Sequence, residues 1–118
     1  MIKNNEELKD FIIRCLDDKK AEDITVIDLG DKKSIANYMI IASGRSSKNI
    51  KAIAEYIALE LKHNSNLTVS IEGLGLAEWV VIDTGNIIVH LFYPEARKRF
   101  NLEEIWEPKS ASNHKLSK

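Results

Sequence analysis

Apolar residues recur at helical spacing in two stretches of the chain, and each stretch begins at residues that can cap a helix. Asn4 and Glu7 have the spacing of a capping box, which predicts a first amphipathic helix ending near Lys20. Its apolar stripe consists of Leu8, Phe11, Ile12, Cys15 and Leu16. Ser46 or Ser47 can cap a second helix. The stripe of that helix consists of Ile50, Ile53, Ala54, Ile57, Ala58 and Leu61.

Other segments have the β-branched enrichment or the alternation that indicates strands, and turn residues bound them. The predicted strands cover residues 23–29, 38–42, 67–71, 79–83 and 87–93. The second of them is almost entirely apolar, as expected of a strand that is covered on both faces. Pro94 is predicted to end the last strand and open a short terminal helix. The order α-β-β-α-β-β-β-α predicts an α/β fold, with a mixed sheet of about five strands and flanking helices.

The last two predicted strands are expected to form a hairpin that turns at Thr84-Gly85. In that register Trp79 faces His90, and Asp83 faces Asn86, on one side of the sheet. The other side is apolar and is predicted to face the helices; it consists of Val80, Ile82, Ile87, Val89, Leu91 and Tyr93. The first side has the composition of an interface with an aromatic anchor. Burial by the chain's own helices is the default expectation for Trp79.

Charged residues follow the last strand. Glu95, Arg97, Lys98 and Arg99 lie just after Tyr93 in the sequence. They form either a solvated turn or the rim of a binding surface, and the neighbouring aromatic residues favour the rim.

Candidate catalytic or ligand-binding groups are sparse. His90 could act as a base held by Asp83, because histidine titrates near neutrality, but a structural histidine is the expected interpretation. The histidines and Cys15 lack metal-ligand spacing, so neither a metal site nor a cofactor is predicted. Residues 42–48 run from a strand into a helix N-terminus, where phosphate can bind. They lack the spacing of a Walker loop, and capping by the serines is the expected role.

Length and composition are those of one ordinary globular domain of 118 residues, 44% hydrophobic and 30% charged. We expect this domain to cover residues 1–107 and the polar segment 108–118 to be a disordered tail. Cys15 is the single cysteine and is expected in the core, which indicates a reducing compartment. The N-terminus has no apolar signal core, and no apolar run approaches the ~20 residues of a membrane helix, so a cytoplasmic location without membrane contact is predicted.

The charge is distributed unevenly along the chain. Lys109, Lys115 and Lys118 lie in a tail without acidic residues, so the net charge of −1 for the chain leaves −4 on residues 1–107. Non-specific affinity for nucleic acid comes from clustered lysine and arginine, which this body lacks. We therefore expect no direct sequence-specific contact with nucleic acid, and a basic protein surface is the expected partner.

Three stretches together resemble the Iojap-like ribosomal silencing factors. They are DITVIDL, NYMIIASGRSSKNIKAIAEYI and EGLGLAEWVVIDTGNIIVHLFYPEARKRFNLEEIW, and with their spacing they cover about Asn4 to Glu107. The resemblance implies a fold similar to nucleotidyltransferases without their chemistry. Val69, Ser70 and Ile71 stand where paired acidic residues would hold two metal ions. The chain is therefore not expected to be an enzyme.

The resemblance also implies a partner and a mechanism. Members of this family bind the protein numbered fourteen of the large ribosomal subunit and sterically block joining of the small subunit, which represses translation under nutrient limitation. On this chain the implied docking surface has Trp79 as its anchor, surrounded by Asp83, His90, Tyr93, Glu95 and Arg97. Asn37 and Asn86 depart from the family pattern, which usually has aspartate at both positions; each exchange removes a carboxylate but keeps a hydrogen-bonding group.

Other functions stay open at this point. A degenerate nucleotide-binding protein would use Ser43, Gly44 and Ser46 to hold phosphates. A ribosome assembly factor that contacts RNA, as organellar relatives assist assembly, would use the lysine tail together with Arg45, Lys48 and Lys51. A homodimer formed through the exposed face of the sheet is an alternative that the sequence does not decide.

Overall fold

The computed structural model describes residues 2–30 and 36–101, in which helices and strands follow the predicted order α-β-β-α-β-β-β-α. The helices are α1 (Asn5–Asp18), α2 (Ser47–Ser65) and α3 (Pro94–Phe100). The strands are β1 (Glu22–Asp28), β2 (Tyr38–Ser43), β3 (Ser70–Glu72), β4 (Trp79–Asp83) and β5 (Ile87–Phe92). The end of the predicted domain, residues 102–107, and the predicted tail 108–118 lie outside the described residues.

Both long helices begin at the predicted caps. Asn4 Oδ1 accepts a hydrogen bond from the backbone nitrogen of Glu7 at 2.8 Å, and this satisfies one of the unpaired donors at the start of α1. At α2, Ser46 is the cap, because its Oγ accepts from the backbone nitrogen of Asn49 at 3.0 Å. α2 ends at Asn66, which adopts the left-handed conformation with φ of +56°.

The strands form one mixed sheet in the order β1-β2-β5-β4-β3. β2 and β5 pair in parallel, and the other neighbours pair antiparallel. α1 and α2 cover one face, where they form the main core with alternate residues of the sheet. The largest fully buried side chains of this core are Ile12, Leu16, Ile40, Ile50, Ile53, Ile57, Leu61, Ile82, Ile87 and Leu91.

A smaller apolar cluster lies on the opposite face of the sheet. It consists of Ile27, Met39, Ile41, Phe92 and Ala96. Ala96 belongs to α3, so the short terminal helix packs on the face that α1 and α2 leave uncovered. β2 is therefore buried on both sides, as its apolar run predicted.

The predicted register of the hairpin is wrong by two residues on β5. Trp79 is paired with Phe92 rather than His90, and Asp83 is paired with Ile88. Thr84 closes the hairpin with Ile87, because the backbone nitrogen of Thr84 donates to the Ile87 carbonyl at 3.0 Å and its Oγ1 donates to the same oxygen at 2.8 Å. The turn therefore moves to residues 85–86. A shift of two residues keeps every side chain on its predicted face.

Two strand boundaries also differ from the prediction. The strand expected at 67–71 starts only at Ser70, because the backbone nitrogen of Leu67 donates to the carbonyl of Leu61 and belongs to the cap of α2. The last strand ends at Phe92. Tyr93 is the N-cap of α3 and is 39% exposed, so its prediction as a core residue is wrong. Pro94 restricts Tyr93 to extended backbone and allows the helix to start directly behind it.

The edges of the sheet are irregular. β1 has a register shift between Glu22 and Thr25, with Asp23 in the left-handed region at φ of +51°. At the other edge, β3 is only three residues long. Within the described ranges, no helix is long and apolar enough to cross a bilayer.

Asn37 joins three parts of the fold. Its Oδ1 accepts from Asn5 Nδ2 at 2.9 Å, and its own Nδ2 donates to the Gly30 carbonyl at 3.3 Å. Its backbone nitrogen donates to the Asn86 carbonyl at 2.8 Å. A carboxylate could accept the first bond but could not donate the second. The amide therefore satisfies two side-chain contacts that a carboxylate could not satisfy together.

Asn37→Asp is expected to lower the free energy of unfolding by about 1 kcal/mol, since a carboxylate would then face the Gly30 carbonyl without a donor. Denaturant unfolding measures the change. The control is Asn86→Asp at an exposed loop position, expected to stay within about 0.5 kcal/mol of the wild type. Equal stability of both variants would show that the bond to Gly30 contributes nothing.

Candidate functional site

The predicted interface residues lie on the sheet face opposite α1 and α2. We call this part of the sheet the hairpin face; it consists of Trp79, Val81 and Asp83 of β4 and Ile88, His90 and Phe92 of β5. Burial on this face is greater on β5 than on β4: Phe92 is fully buried and His90 is 7% exposed, whereas Trp79 is half-buried and Asp83 is exposed. On the hairpin face, Trp79 is therefore a partly exposed aromatic residue next to the buried side chains of His90 and Phe92.

Trp79, His90 and Phe92 contact one another. Trp79 Nε1 donates to His90 Nδ1 at 2.9 Å. The rings of Trp79 and Phe92 are stacked with centroids 5.1 Å apart, and those of His90 and Phe92 are stacked at 6.2 Å. Because Nδ1 accepts, the neutral imidazole carries its proton on Nε2. Within the described part of the chain, that buried Nε2 has no hydrogen-bond partner.

The geometry does not support His90 as a general base. Burial lowers the pKa of His90 to about 4, so the imidazole is a weak proton acceptor at neutral pH. Asp83 does not hold the ring either, since its Oδ1 accepts from the backbone nitrogen of Gly85 at 2.8 Å and Trp79 occupies Nδ1. The structural interpretation of this histidine is the one that fits.

Arg97 faces inward and does not form the predicted solvent-facing rim. Its Nη1 donates to Ser43 Oγ at 2.8 Å, and its Nη2 donates to Thr25 Oγ1 at 3.1 Å. This half-buried guanidinium therefore ties α3 to β1 and β2. Tyr93 and Glu95 are exposed at the start of α3. The start of this helix lies next to the hairpin face, because the Tyr93 nitrogen donates to the Glu78 carbonyl at 2.9 Å.

Carboxylates border the hairpin face on the side of β3. Glu72 is paired with Val81 and therefore points to the same side as Trp79, and it is exposed. Sequence reasoning missed Glu72, because the predicted strand ended at residue 71 and its position beside β4 was not known. Glu78 is also exposed, and its Oε1 lies 3.2 Å from Arg99 Nη2.

The backbone of Gly73 lies close to the backbone of Trp79. Its φ is +93°, and a Cβ at this position would lie 2.3 Å from the Trp79 carbonyl oxygen. Only glycine fits this conformation and this space. The turn that follows is closed by the Ala77 nitrogen, which donates to the Gly73 carbonyl at 2.9 Å.

The loop from β2 into α2 uses its polar groups internally. The Gly44 nitrogen donates to the Phe92 carbonyl at 3.0 Å, and the Arg45 nitrogen donates to Asn49 Oδ1 at 3.1 Å. Ser46 caps the helix. These amides would have to hold a phosphate in the nucleotide-binding hypothesis, so the geometry favours simple capping. In residues 2–30 and 36–101, no group of three or more His, Cys, Asp or Glu side chains could hold a metal ion.

Gly73→Ala is expected to lower the free energy of unfolding by about 2 kcal/mol or more, since the methyl group would collide with backbone and the φ is unfavourable. Gly75→Ala is the matched control, because nothing lies within 4 Å of its Cβ position. That variant should stay within about 0.5 kcal/mol of wild type. Thermal or denaturant unfolding of both tests the contact, and two equally stable variants would contradict it.

Stability should depend on pH through His90. The unfolded chain binds a proton with a pKa near 6.5 and the folded chain near 4, so the unfolded state binds more protons between these values. The contribution of neutral, buried His90 to the free energy of unfolding is fully present above about pH 6.5 and is lost as the pH falls towards about 4. Between about pH 7 and about pH 5, wild-type unfolding free energy should fall more steeply than that of His90→Gln. Parallel curves would contradict the shift.

Known proteins resemble this chain in sequence and in fold. A ribosomal silencing factor of Zymomonas mobilis is 46% identical over 101 residues, which cover 86% of this chain and 76% of the relative. "Mitochondrial assembly of ribosomal large subunit protein 1" of Mus musculus is 32% identical over 104 residues, which cover 86% of this chain and 46% of that protein. A crystal structure of a Chromobacterium violaceum protein superposes with a TM-score of 0.84 at 27% identity, covering 98% of this chain and 94% of the other.

The family model RsfS, described as "Ribosomal silencing factor during starvation", matches residues 2–118. This match and the identity to the Zymomonas mobilis factor confirm the resemblance found in the sequence, and the five-stranded mixed sheet confirms the expected fold class. The chain therefore belongs to the RsfS family of ribosomal silencing factors.

Proposed function

We propose that this protein binds the large ribosomal subunit through that subunit's protein fourteen and blocks joining of the small subunit. It acts in the cytoplasm and represses translation when nutrients are limiting. Membership in the RsfS family carries this proposal, because the family is described by ribosomal silencing during starvation. The name of the Mus musculus relative refers to assembly of the large ribosomal subunit, which supports the choice of that subunit.

The hairpin face is the proposed docking surface. Trp79 is a half-buried aromatic residue stacked on buried Phe92, which is the arrangement of an anchor with a rigid base. Asp83 is exposed on the same face, and Tyr93 and Glu95 are exposed at the start of α3, which packs on that side of the sheet. An aromatic centre with a polar rim is the usual composition of a protein interface.

Charge supports a basic protein as the partner. Residues 1–107 carry a net charge of −4, and the exposed carboxylates of Glu72 and Asp83 lie on the docking side. Carboxylates repel phosphates but complement lysine and arginine side chains, and they steer association. Contact with a ribosomal protein therefore fits this surface better than contact with ribosomal RNA.

The proposed mechanism needs occupancy and no chemistry. An interface near the standard ~800 Å² per partner would hold the protein in place, and its bulk would exclude the small subunit. The loop before α2 uses its amides internally, and the imidazole of His90 has a lowered pKa. Both observations favour a binding protein over a nucleotide-dependent enzyme.

The anchor can be tested by co-sedimentation with purified large subunits. Trp79→Ala should reduce binding at least about tenfold, as expected for a central aromatic residue. Leu59→Ala is the matched control, because Leu59 is a large apolar residue that is 53% exposed on α2, on the other side of the sheet. Circular dichroism checks that both variants fold. Equal binding by a folded Trp79→Ala would remove the anchor.

A charge reversal gives the same test without touching the aromatic residue. Glu72→Lys should weaken binding and reduce the association rate, whereas Glu55→Lys at an exposed position of α2 should leave both unchanged.

In a sedimentation gradient, added wild-type protein should shift joined ribosomes to separate subunits. Undiminished joining at saturating protein would contradict steric blocking.

A further inference from the structure

We infer that His90 is a positioning residue, which orients the indole of Trp79 for docking and does not itself contact the partner. This inference deepens the proposed function and rests on it, since it assigns a role within the same docking surface. The juxtaposition that carries it is the Trp79 Nε1 to His90 Nδ1 hydrogen bond above the ring of Phe92.

Two independent contacts fix the indole. Stacking on Phe92, with the ring planes 26° apart, limits the tilt of the indole. The hydrogen bond to His90 then limits its rotation about the side-chain torsions, since Nε1 must point towards Nδ1. The two contacts come from alternate residues of β5, a strand paired on both sides, so the base of the arrangement is rigid.

The burial of His90 separates its role from that of a contact residue. The histidine is 7% exposed and its Nε2 is buried, whereas Trp79 is half-buried and reaches the surface. A partner that docks on this face therefore meets the indole and not the imidazole. His90 acts through the orientation of Trp79.

The buried Nε2–H of His90 is a second sign that packing alone does not explain this residue. A buried donor without an acceptor opposes folding, and an apolar residue of similar size would avoid that penalty. An apolar residue, however, would offer no acceptor to the indole. The histidine thus lowers stability through its unpaired Nε2, and its Nδ1 fixes the orientation of the indole.

Preorganisation has a measurable size. Ordering one large side chain on binding weakens association by about threefold to tenfold. A residue that already holds this side chain in place in the free protein avoids that loss of affinity. The test uses two substitutions with opposite effects. His90→Asn places Oδ1 where Nδ1 lies and keeps the acceptor, but it leaves a gap in the packing. His90→Leu fills the space and removes the acceptor.

The expected orders of stability and affinity are therefore opposite. His90→Leu should melt near the wild-type temperature or above it and bind large subunits about threefold to tenfold more weakly. His90→Asn should melt at a lower temperature and bind like the wild type at temperatures where it is folded. If affinity follows stability in both variants, His90 is only structural and the inference is overturned.

Measurements on the chain without ribosomes keep the inference separate from the proposed function. Nitrogen-15 relaxation of the indole N–H should show a rigid Trp79 in wild type and His90→Asn and a mobile one in His90→Leu; Trp79→Phe identifies the resonance. An equally rigid indole in His90→Leu overturns the inference whether or not the protein binds ribosomes. If the wild type does not sediment with large subunits, the proposed function fails, and the docking role of His90 fails with it.

Discussion

The double pairing of β5 is the constraint on which the other features depend. β5 is hydrogen-bonded in parallel to β2 and antiparallel to β4, so its alternate residues enter two different environments. Ile87, Val89 and Leu91 are fully buried against the helices, and His90 and Phe92 form the base of the hairpin face. Because the strand cannot twist or slide without breaking two ladders, the core and the docking surface are set by the same backbone.

Much of this arrangement could be predicted because it rests on local rules. The caps at Asn4 and Ser46 determine where α1 and α2 begin, and a short polar side chain before an apolar stripe is a local signal. The unbroken apolar run of β2 indicated burial on both faces, which the cluster around Met39 and Ile41 confirms. Alternation assigned the hairpin residues to the correct faces even though the register was wrong.

The features that could not be predicted depend on contacts between distant residues. Arg97 was expected in a charged rim, but it reaches Ser43 and Thr25, which are 54 and 72 positions away in the sequence. Glu72 joined the hairpin face only because β3 lies beside β4. In the observed register Thr84 closes the hairpin opposite Ile87, to which its backbone nitrogen and its hydroxyl are both hydrogen-bonded. The spacing of residues along the sequence indicates none of these contacts.

The irregular edges of the sheet have a consequence for how this chain can associate. An exposed edge strand invites another polypeptide to extend the sheet, which leads to polymers as readily as to dimers. β1 is interrupted near Asp23, and β3 offers only three residues, so neither provides a long row of backbone donors and acceptors. Recognition is thereby left to side chains, whose shape and charge distinguish one partner from another, rather than to main-chain pairing, which accepts almost any sequence.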